Sequence, residues 1–397
     1  MGLSAVVYCD SKNLGGMVTY TCNLAHALKL HDVRVSLITH TPENREEQEV
    51  LALLAENVDE VHDTPRHEPL KAQVKWFSGI IDSLEPELYF PNYRAHAFAA
   101  CAAIKNKTTR CIATCHNNAE DSYAVLKRYQ RVISKFVCPA QSSYRALLTK
   151  LPHRANDIRY IPHCVKIVEK IHLLPDFDGS PLRLIYHGRI DDKHKQLLLI
   201  PTLALKLLEH KIDFQITVVG EGPARSALQH AIDAANLTSL VFLKHSMNWY
   251  ELSRELPRHH LALLLSSHEG FCYGLAEAMG FGLPAITFRA GGAIETYVKN
   301  GVNGFISDDG RLDEMALSIK QVYENNHLYR ALSAEARETV YKTLTFERFA
   351  ALYGGLIKSD FGRREAWPHF RPVYVDNQSS IHARVVEKLG LLTGLWQ

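Results

Sequence analysis

Short runs rich in apolar residues alternate along the chain with longer stretches whose apolar positions recur every three or four residues. Residues 5–9, 33–39, 58–62, 87–90, 110–115, 136–139 and 158–162 have the first pattern, which predicts strands buried on both faces. Residues 15–30, 45–57, 70–84, 94–105 and 142–150 have the second, which predicts helices. A segment rich in Pro, Gly and Asp, 170–182, breaks the rhythm and predicts a linker. A second series then begins, with strands predicted at 183–187, 214–219, 240–243, 261–265 and 284–288. Its helices are predicted at 195–210, 223–236, 249–256, from Gly274 onward, 312–325, 328–342 and 346–359. Strand and helix in succession imply right-handed crossovers and parallel sheets covered on both faces. The expected fold class is therefore α/β, with two doubly wound Rossmann-like domains facing each other across a cleft. Residues 1–172 form the first, 173–182 the linker and 183–359 the second, and the tail 360–397, with a helix expected over 380–392, rejoins the first. Ligands are expected at the strand C-termini, in that cleft.

Length agrees with two domains, since 397 residues exceed the roughly 250–300 that one core serves. A net charge of +2 and the lack of a long basic block exclude nucleic acid as an expected partner. The longest lightly charged stretch, 270–288, carries four glycines, Pro284 and Glu277, and is a poor membrane span. No basic and apolar signal pattern opens the chain, so a cytoplasmic location is expected. Eight cysteines in apolar surroundings then read as buried thiols. Cys111, Cys115 and His116 have no second pair at ligand spacing, and Asp176-Phe177-Asp178 lies in the linker with no strand before it, so no metal site is expected.

The most informative stretch is 266–286, SSHEGFCYGLAEAMGFGLPAI. It follows a buried strand with a glycine turn, Glu269-Gly270, and a helix start near Gly274, so the amides of Phe271, Cys272, Tyr273, Gly274 and Leu275 face outward without intrahelical partners. Such a helix start attracts anions. Glu269 and Glu277 bracket these amides, which suits a ligand carrying both phosphates and hydroxyls. Three other features converge on the same cleft: Gly15-Gly16 after the first strand, His116 at the end of the fifth as a hydrogen-bond donor to substrate, and Arg189, Lys193 and Lys195 at the first turn of the second half. Cations there neutralise a diphosphate, each charge-assisted bond contributing roughly 1.5–3 kcal/mol. Only two glycines of a dinucleotide fingerprint are present, so NAD is weakly supported.

Taken together and in this order, these residues resemble the retaining, GT-B-fold glycosyltransferases of family 4 over about residues 5–357. Glu269 and Glu277 reproduce the family's E-x7-E signature. Arg189 and Lys195, Gly15-Gly16, His116, Ile161-Pro162-His163, Gly220-Glu221-Gly222-Pro223, Gly291-Gly292 with Glu295, and Asn303-Gly304-Phe305 match further motifs. The resemblance implies a hexose-type sugar moved from a nucleotide-sugar, UDP- first and GDP- second, to a glycan or lipid-linked acceptor without a metal. It implies His116, Arg189, Lys195 and Glu269 as catalytic residues. Glu277 would hold the ribose, with Gly15, Gly16, Phe271, Cys272, Tyr273, Gly274 and Leu275 on the phosphate and sugar, and Gly220, His245 and Ser246 beside the base. Tyr273 departs from the pattern and implies a narrowed sugar pocket or a contact with the nucleotide. The basic segment 122–135 and the helix around Lys71, Lys75, Trp76 and Phe77 offer peripheral contact with the inner face of a membrane. The alternatives are a nucleotide-sugar epimerase or hydrolase on the same fold, or a noncatalytic carbohydrate-binding scaffold.

Overall fold

In the computed structural model, residues 2–10, 12, 15–64, 68–167, 177, 181–291, 294–361, 365–367 and 373 are described. The first half forms a parallel sheet of seven strands, β1 (Ser4–Tyr8), β2 (Arg34–His40), β3 (Glu60–Thr64), β4 (Leu88–Phe90), β5 (Arg110–Thr114), β6 (Lys135–Cys138) and β7 (Ile158–Tyr160). Its order is β3-β2-β1-β4-β5-β6-β7. The second half forms a parallel sheet of six, β8 (Leu182–His187), β9 (Phe214–Val219), β10 (Val241–Lys244), β11 (Leu261–Leu264), β12 (Ala285–Phe288) and β13 (Gly304–Ser307), in the order β10-β9-β8-β11-β12-β13. The two doubly wound α/β units expected from the alternation are present.

The alternation of side chains along β1 shows why continuous apolar runs were needed. Ala5 and Val7 enter one buried cluster, and Val6 and Tyr8 another on the opposite face. Each sheet reverses its winding once, between β1 and β4 in the first and between β8 and β11 in the second. At such a switch point the flanking loops diverge and leave a crevice at the strand C-termini.

Three elements differ from the pattern reading. The edge strand β13 begins at Gly304 in a short glycine-containing segment with no apolar run. The helix Leu197–Leu199 and its continuation Ile200–Glu209 start after Gln196, whose backbone is left-handed (φ 50°), so Lys195 lies in the preceding turn and not at a helix start. The helix Phe346–Ile357 falls within residues 183–359, yet it packs on the first sheet. There Phe349, Tyr353, Leu356 and Ile357 join the cluster of Ala5, Val7 and Leu24, and Tyr353 Oη lies 2.8 Å from Tyr20 Oη. Described parts of the tail lie on the same domain: Trp367 stacks on Tyr129 at 5.3 Å and Glu365 pairs with Arg131 at 2.8 Å. The helix expected over 380–392 lies outside the described residues, as does most of the linker, Asp176 and Asp178 included.

The apolar face of the basic segment 122–135 is turned inward. Tyr123, Leu126, Tyr129 and Ile133 are buried in the first domain, and Lys135 is held by Asp157 at 2.9 Å. On the helix Leu70–Leu84, Phe77 is buried, while Trp76 and Ile80 line a shallow groove with Ala72, Lys75 and Gly79. Among the described residues no helix is long and apolar enough to cross a membrane.

Candidate active site

The turns after β8 and β11, on either side of the second switch point, bring Lys195 and Glu269 together. Lys195 Nζ donates to Glu269 Oε1 at 2.5 Å, and Ser266 Oγ donates to the same oxygen at 2.6 Å. Glu269 is 8% exposed, so its charge is compensated by these two donors and not by water. Burial works against the Lys195 ammonium, but the Glu269 carboxylate, through its charge and its hydrogen bond, acts the other way, and the pKa is held well above the ordinary lysine value. Lys193, two residues earlier, is exposed. Arg189 is about half exposed on the same turn, 3.8 Å from Asp191.

The helix Tyr273–Gly280 starts against this pair. Its N-cap, Cys272, has a left-handed backbone (φ 62°), a conformation costly for a residue with a Cβ. Burial pushes the Cys272 thiol up to about 12, so it stays protonated and is no nucleophile at neutral pH. Tyr297 Oη donates to the carbonyls of Phe271 (2.7 Å) and Cys272 (3.2 Å), and His187 Nε2 donates to Gly274 O at 2.7 Å. These contacts hold the carbonyls inward and leave the first amides of the helix directed at the cleft. Glu277 lies one turn further on. Burial raises its carboxyl to about 7, against the Lys166 ammonium, which acts to lower it.

Glycine is required where the strand-end turns meet. A Cβ on Gly220 (φ +149°) would lie 1.9 Å from the Gly188 carbonyl oxygen, so the β8 and β9 turns can pack only without one. A Cβ on Gly270 would lie 2.2 Å from the carbonyl oxygen of His116, which belongs to the other domain. Gly270 and His116 therefore touch across the cleft.

His116 is held from behind. Asn92 is fully buried and donates through Nδ2 to Tyr8 O (3.2 Å), so its Oδ1 is the acceptor for His116 Nε2 at 3.3 Å. Burial lowers the His116 pKa to about 3, so the ring is neutral, with its proton on Nε2 and Nδ1 left as an acceptor. In this arrangement the ring N–H of His116 is directed at Asn92, and Nδ1 is the ring atom left for a ligand.

An aromatic column crosses the cleft beside this contact. His163 is stacked between His116 (6.0 Å, 19°) and Tyr273 (5.5 Å, 20°), and Phe271 meets its edge at 5.0 Å. Tyr273 also covers Gly16, where a Cβ would stand 3.2 Å from the ring. The side-chain atoms Tyr273 Oη and His163 Nδ1 are buried without a hydrogen-bond partner among the described residues.

The structure thus brings Gly16 to Tyr273, His116 to Gly270, and Lys195 to Glu269. Gly15 caps the first helix with open space beside it. His245 and Ser246 stand apart, exposed at the end of the edge strand β10, two strands from the Lys195–Glu269 pair; His245 Nδ1 lies 2.6 Å from Glu221 Oε1. Glu295 is paired with Arg289. Gly292 lies outside the described residues. Ser266, Tyr297, His187, Asn92 and Lys166 were not singled out from sequence, because a lone polar residue in an apolar or loop context carries no spacing signal. Among the described residues no group of three or more His, Cys, Asp or Glu is arranged to hold a metal ion.

Residues 14–168 match the family model described as Glycosyltransferase Family 4, and residues 170–339 the model described as Glycosyl transferases group 1. The N-acetyl-alpha-D-glucosaminyl L-malate synthase of Bacillus anthracis is 31% identical over 144 residues, 36% of this chain and 37% of that protein. The 2-deoxystreptamine N-acetyl-D-glucosaminyltransferase of Niallia circulans is 29% identical over 139 residues, 35% of this chain and 36% of that protein. The match thus spans little more than a third of the length of these relatives. Among solved structures, Anabaena Alr3699/HepE in complex with UDP superposes with a TM-score of 0.73 over 90% of this chain and 100% of that one, at 16% identity, a likeness of fold.

Proposed function

The chain belongs to the family 4 glycosyltransferases of GT-B fold, and from that premise we propose that it is a retaining transferase. It moves a hexose-type sugar from a UDP-sugar to a hydroxyl of a glycan or lipid-linked acceptor, and does so without a metal. The observation that carries this reading is the Lys195–Glu269 pair at the second switch point, facing the Gly270–His116 contact.

Each group has a distinct task in this reading. Glu277 accepts hydrogen bonds from both ribose hydroxyls, for which a carboxylate has two oxygens. The amides at the start of the helix Tyr273–Gly280, with those of Gly15 and Gly16, hold the diphosphate. Lys195 and Arg189 stabilise the charge that develops on it as the glycosidic bond breaks, in the place a metal ion would otherwise take. Glu269 orients Lys195 and accepts from a hydroxyl of the departing sugar. The neutral His116 presents Nδ1 as an acceptor toward the transferred sugar and helps fix its orientation. The acceptor hydroxyl attacks on the face the nucleotide leaves, and a donor phosphate oxygen takes its proton, so no separate protein nucleophile is needed. Contact of the domains at Gly270 and His116 excludes water and limits donor hydrolysis.

UDP is favoured over GDP by the UDP complex of the Anabaena structure. Transfer of N-acetylglucosamine by two relatives makes UDP-N-acetylglucosamine the first donor to try. A thermal-shift panel of UDP- and GDP-sugars tests the donor, because a ligand bound only by the native state raises its melting temperature. Stabilisation by UDP-sugars is expected; stabilisation by GDP-sugars alone would overturn the nucleotide assignment.

A further inference from the structure

The strands of the first sheet end at the cleft, and the opposite pole of that domain, where β6 and β7 begin, holds a polar cavity of about 520 Å³. Ser134 and Lys135 line it from the start of β6, Arg159 from β7, Arg131 from just past the helix Glu120–Tyr129, and Phe361 from the chain that follows the helix Phe346–Ile357. That volume falls in the range of small-molecule sites, roughly 300–1,000 Å³.

Part of this lining is fixed. Asp157 is held between Lys135 Nζ at 2.9 Å and Arg154 Nε at 2.7 Å, and Arg154 also donates to the carbonyls of Gln130, Ile133 and Ser134. Lys135 is 4% exposed, so the three charges form a rigid frame. Other groups are left over. Ser134 is equally buried, and its Oγ has no hydrogen-bond partner among the described residues. The Arg159 guanidinium donates through Nη1 to the carbonyls of Asn156 and Ile158, and no carboxylate of the described residues pairs with it. Arg131 is paired with Glu365, but both side chains are more than half exposed, and such pairs contribute little and yield to a better anion. Four cations, Arg131, Lys135, Arg154 and Arg159, thus face three carboxylates, Asp157, Asp360 and Glu365.

We propose that this cavity is a second ligand site, separate from the site of sugar transfer, and that it takes the phosphate monoester of a small sugar or polyol. A phosphoryl group has three strong acceptor oxygens and a charge of about −1.5 to −2 at neutral pH. These match a hydroxyl and two guanidinium groups offered by three different segments, where a carboxylate would bring only two oxygens. The volume leaves room for the rest of the molecule beside Phe361, whose ring centroid lies 6.0 Å from Lys135 Nζ. Ile133 and Phe361 are the only apolar side chains among the described lining residues, so acyl chains find no surface here and the ligand is a soluble ester, not a lipid headgroup.

Calorimetry with ribose 5-phosphate, inorganic phosphate and ribose tests this on the full chain, with and without saturating UDP. The proteins are the wild type, Arg159→Gln, Arg159→Lys and Ser134→Ala. The wild type is expected to bind ribose 5-phosphate more tightly than phosphate, to ignore ribose, and to keep its affinity when UDP is present. Arg159→Gln should weaken the sugar phosphate at least tenfold and Arg159→Lys less. Ser134→Ala should weaken it about fivefold without lowering the melting temperature of the free protein, because the hydroxyl removed has no partner to lose. UDP affinity should stay within twofold throughout, which also reports that each variant is folded. No binding of ribose 5-phosphate by the wild type, its displacement by UDP, or unchanged affinity in Arg159→Gln would overturn the proposal. Arg159-dependent binding to vesicles of phosphatidic acid in phosphatidylcholine, in place of ribose 5-phosphate, would overturn it too and give the cavity to a lipid. If UDP does not bind the wild type, the donor reading fails instead, and the Arg159 comparison without UDP still judges the cavity.

Discussion

Lys195 Nζ and Glu269 Oε1 lie 2.5 Å apart although they are 74 residues apart in the chain, so two strand ends are tied into one charged unit. Removing Lys195 leaves Glu269 buried with Ser266 as its remaining donor. A fully buried pair broken on one side loses roughly 3–5 kcal/mol; with Lys195 a quarter exposed, about 2 kcal/mol is expected. The double substitution Lys195→Ala/Glu269→Ala should cost less stability than the sum of the single ones, measured by urea unfolding. Strict additivity would show that the two do not act as a unit.

Glu277 gives the clearest pH dependence. Its carboxyl is raised from 4.5 to about 7, so the folded state holds the proton more tightly than the unfolded chain. The penalty for its charge is absent below about pH 4.5, grows as pH rises and is complete above about 7, where it amounts to about 3 kcal/mol. Glu277→Gln should therefore stabilise the protein at pH 8 and have little effect near pH 4.5. Ribose hydroxyls favour the ionised form, so the wild type should bind UDP-glucose more tightly as pH rises from 5.5 to 7 and release a proton on binding. That proton release should vanish in Glu277→Gln, and calorimetry in two buffers of different ionisation enthalpy reads it. Equal release by both proteins would remove Glu277 from the ribose.

Gly270 separates nucleotide binding from domain closure. A methyl group there must displace the His116 backbone, and backbone cannot yield as a flexible side chain does. Gly270→Ala should leave UDP affinity within about threefold and lower turnover by roughly tenfold or more, equivalent to about 1.4 kcal/mol on the barrier. Unchanged turnover would mean that this contact does not belong to the working conformation.

Asn303 belongs to a family motif but serves the fold. It is fully buried, donates to Tyr297 O (2.8 Å) and Thr339 Oγ1 (2.9 Å), and accepts from Lys299 N at 2.7 Å. Asn303→Ala should destabilise by about 2–4 kcal/mol, each buried group left unpaired costing about 1–3 kcal/mol. Folded variant should keep near-normal UDP affinity; a selective loss of affinity at unchanged stability would reassign it to the site.

The alternation of strands and helices made both sheets legible, because the central strands, covered on both faces, need near-continuous apolar runs and the rhythm then places the edge strand β3 (EVHDT) between two helices. The edge strand β13 has no such run and left no signal. The helix Phe346–Ile357 was legible as a helix, but its apolar stripe does not say which of two domains covers it, and it packs on the first. Lys195 was identified as the cation, although its direction comes from the turn before Gln196 and its contact with Glu269, not from a helix start. Tyr123, Leu126 and Tyr129 show how a basic segment with interleaved aromatics can be the inner face of an ordinary surface helix. The Asn92 hold on His116 and the His163 stack depend on how the loops meet in space, which no local spacing encodes.

The central claim is that the Lys195–Glu269 unit promotes sugar transfer from a UDP-sugar without a metal. The direct measurement is the turnover of the wild type, Lys195→Ala and Glu269→Ala with the UDP-sugar that stabilises the protein most, in the presence of EDTA, with the anomeric configuration of the product read by NMR. The account expects activity in EDTA, a product with the donor's configuration, and a loss of roughly a hundredfold or more in each variant, since 2.7 kcal/mol is two decades. Near-wild-type turnover in both variants, activity abolished by EDTA, or an inverted product would contradict it.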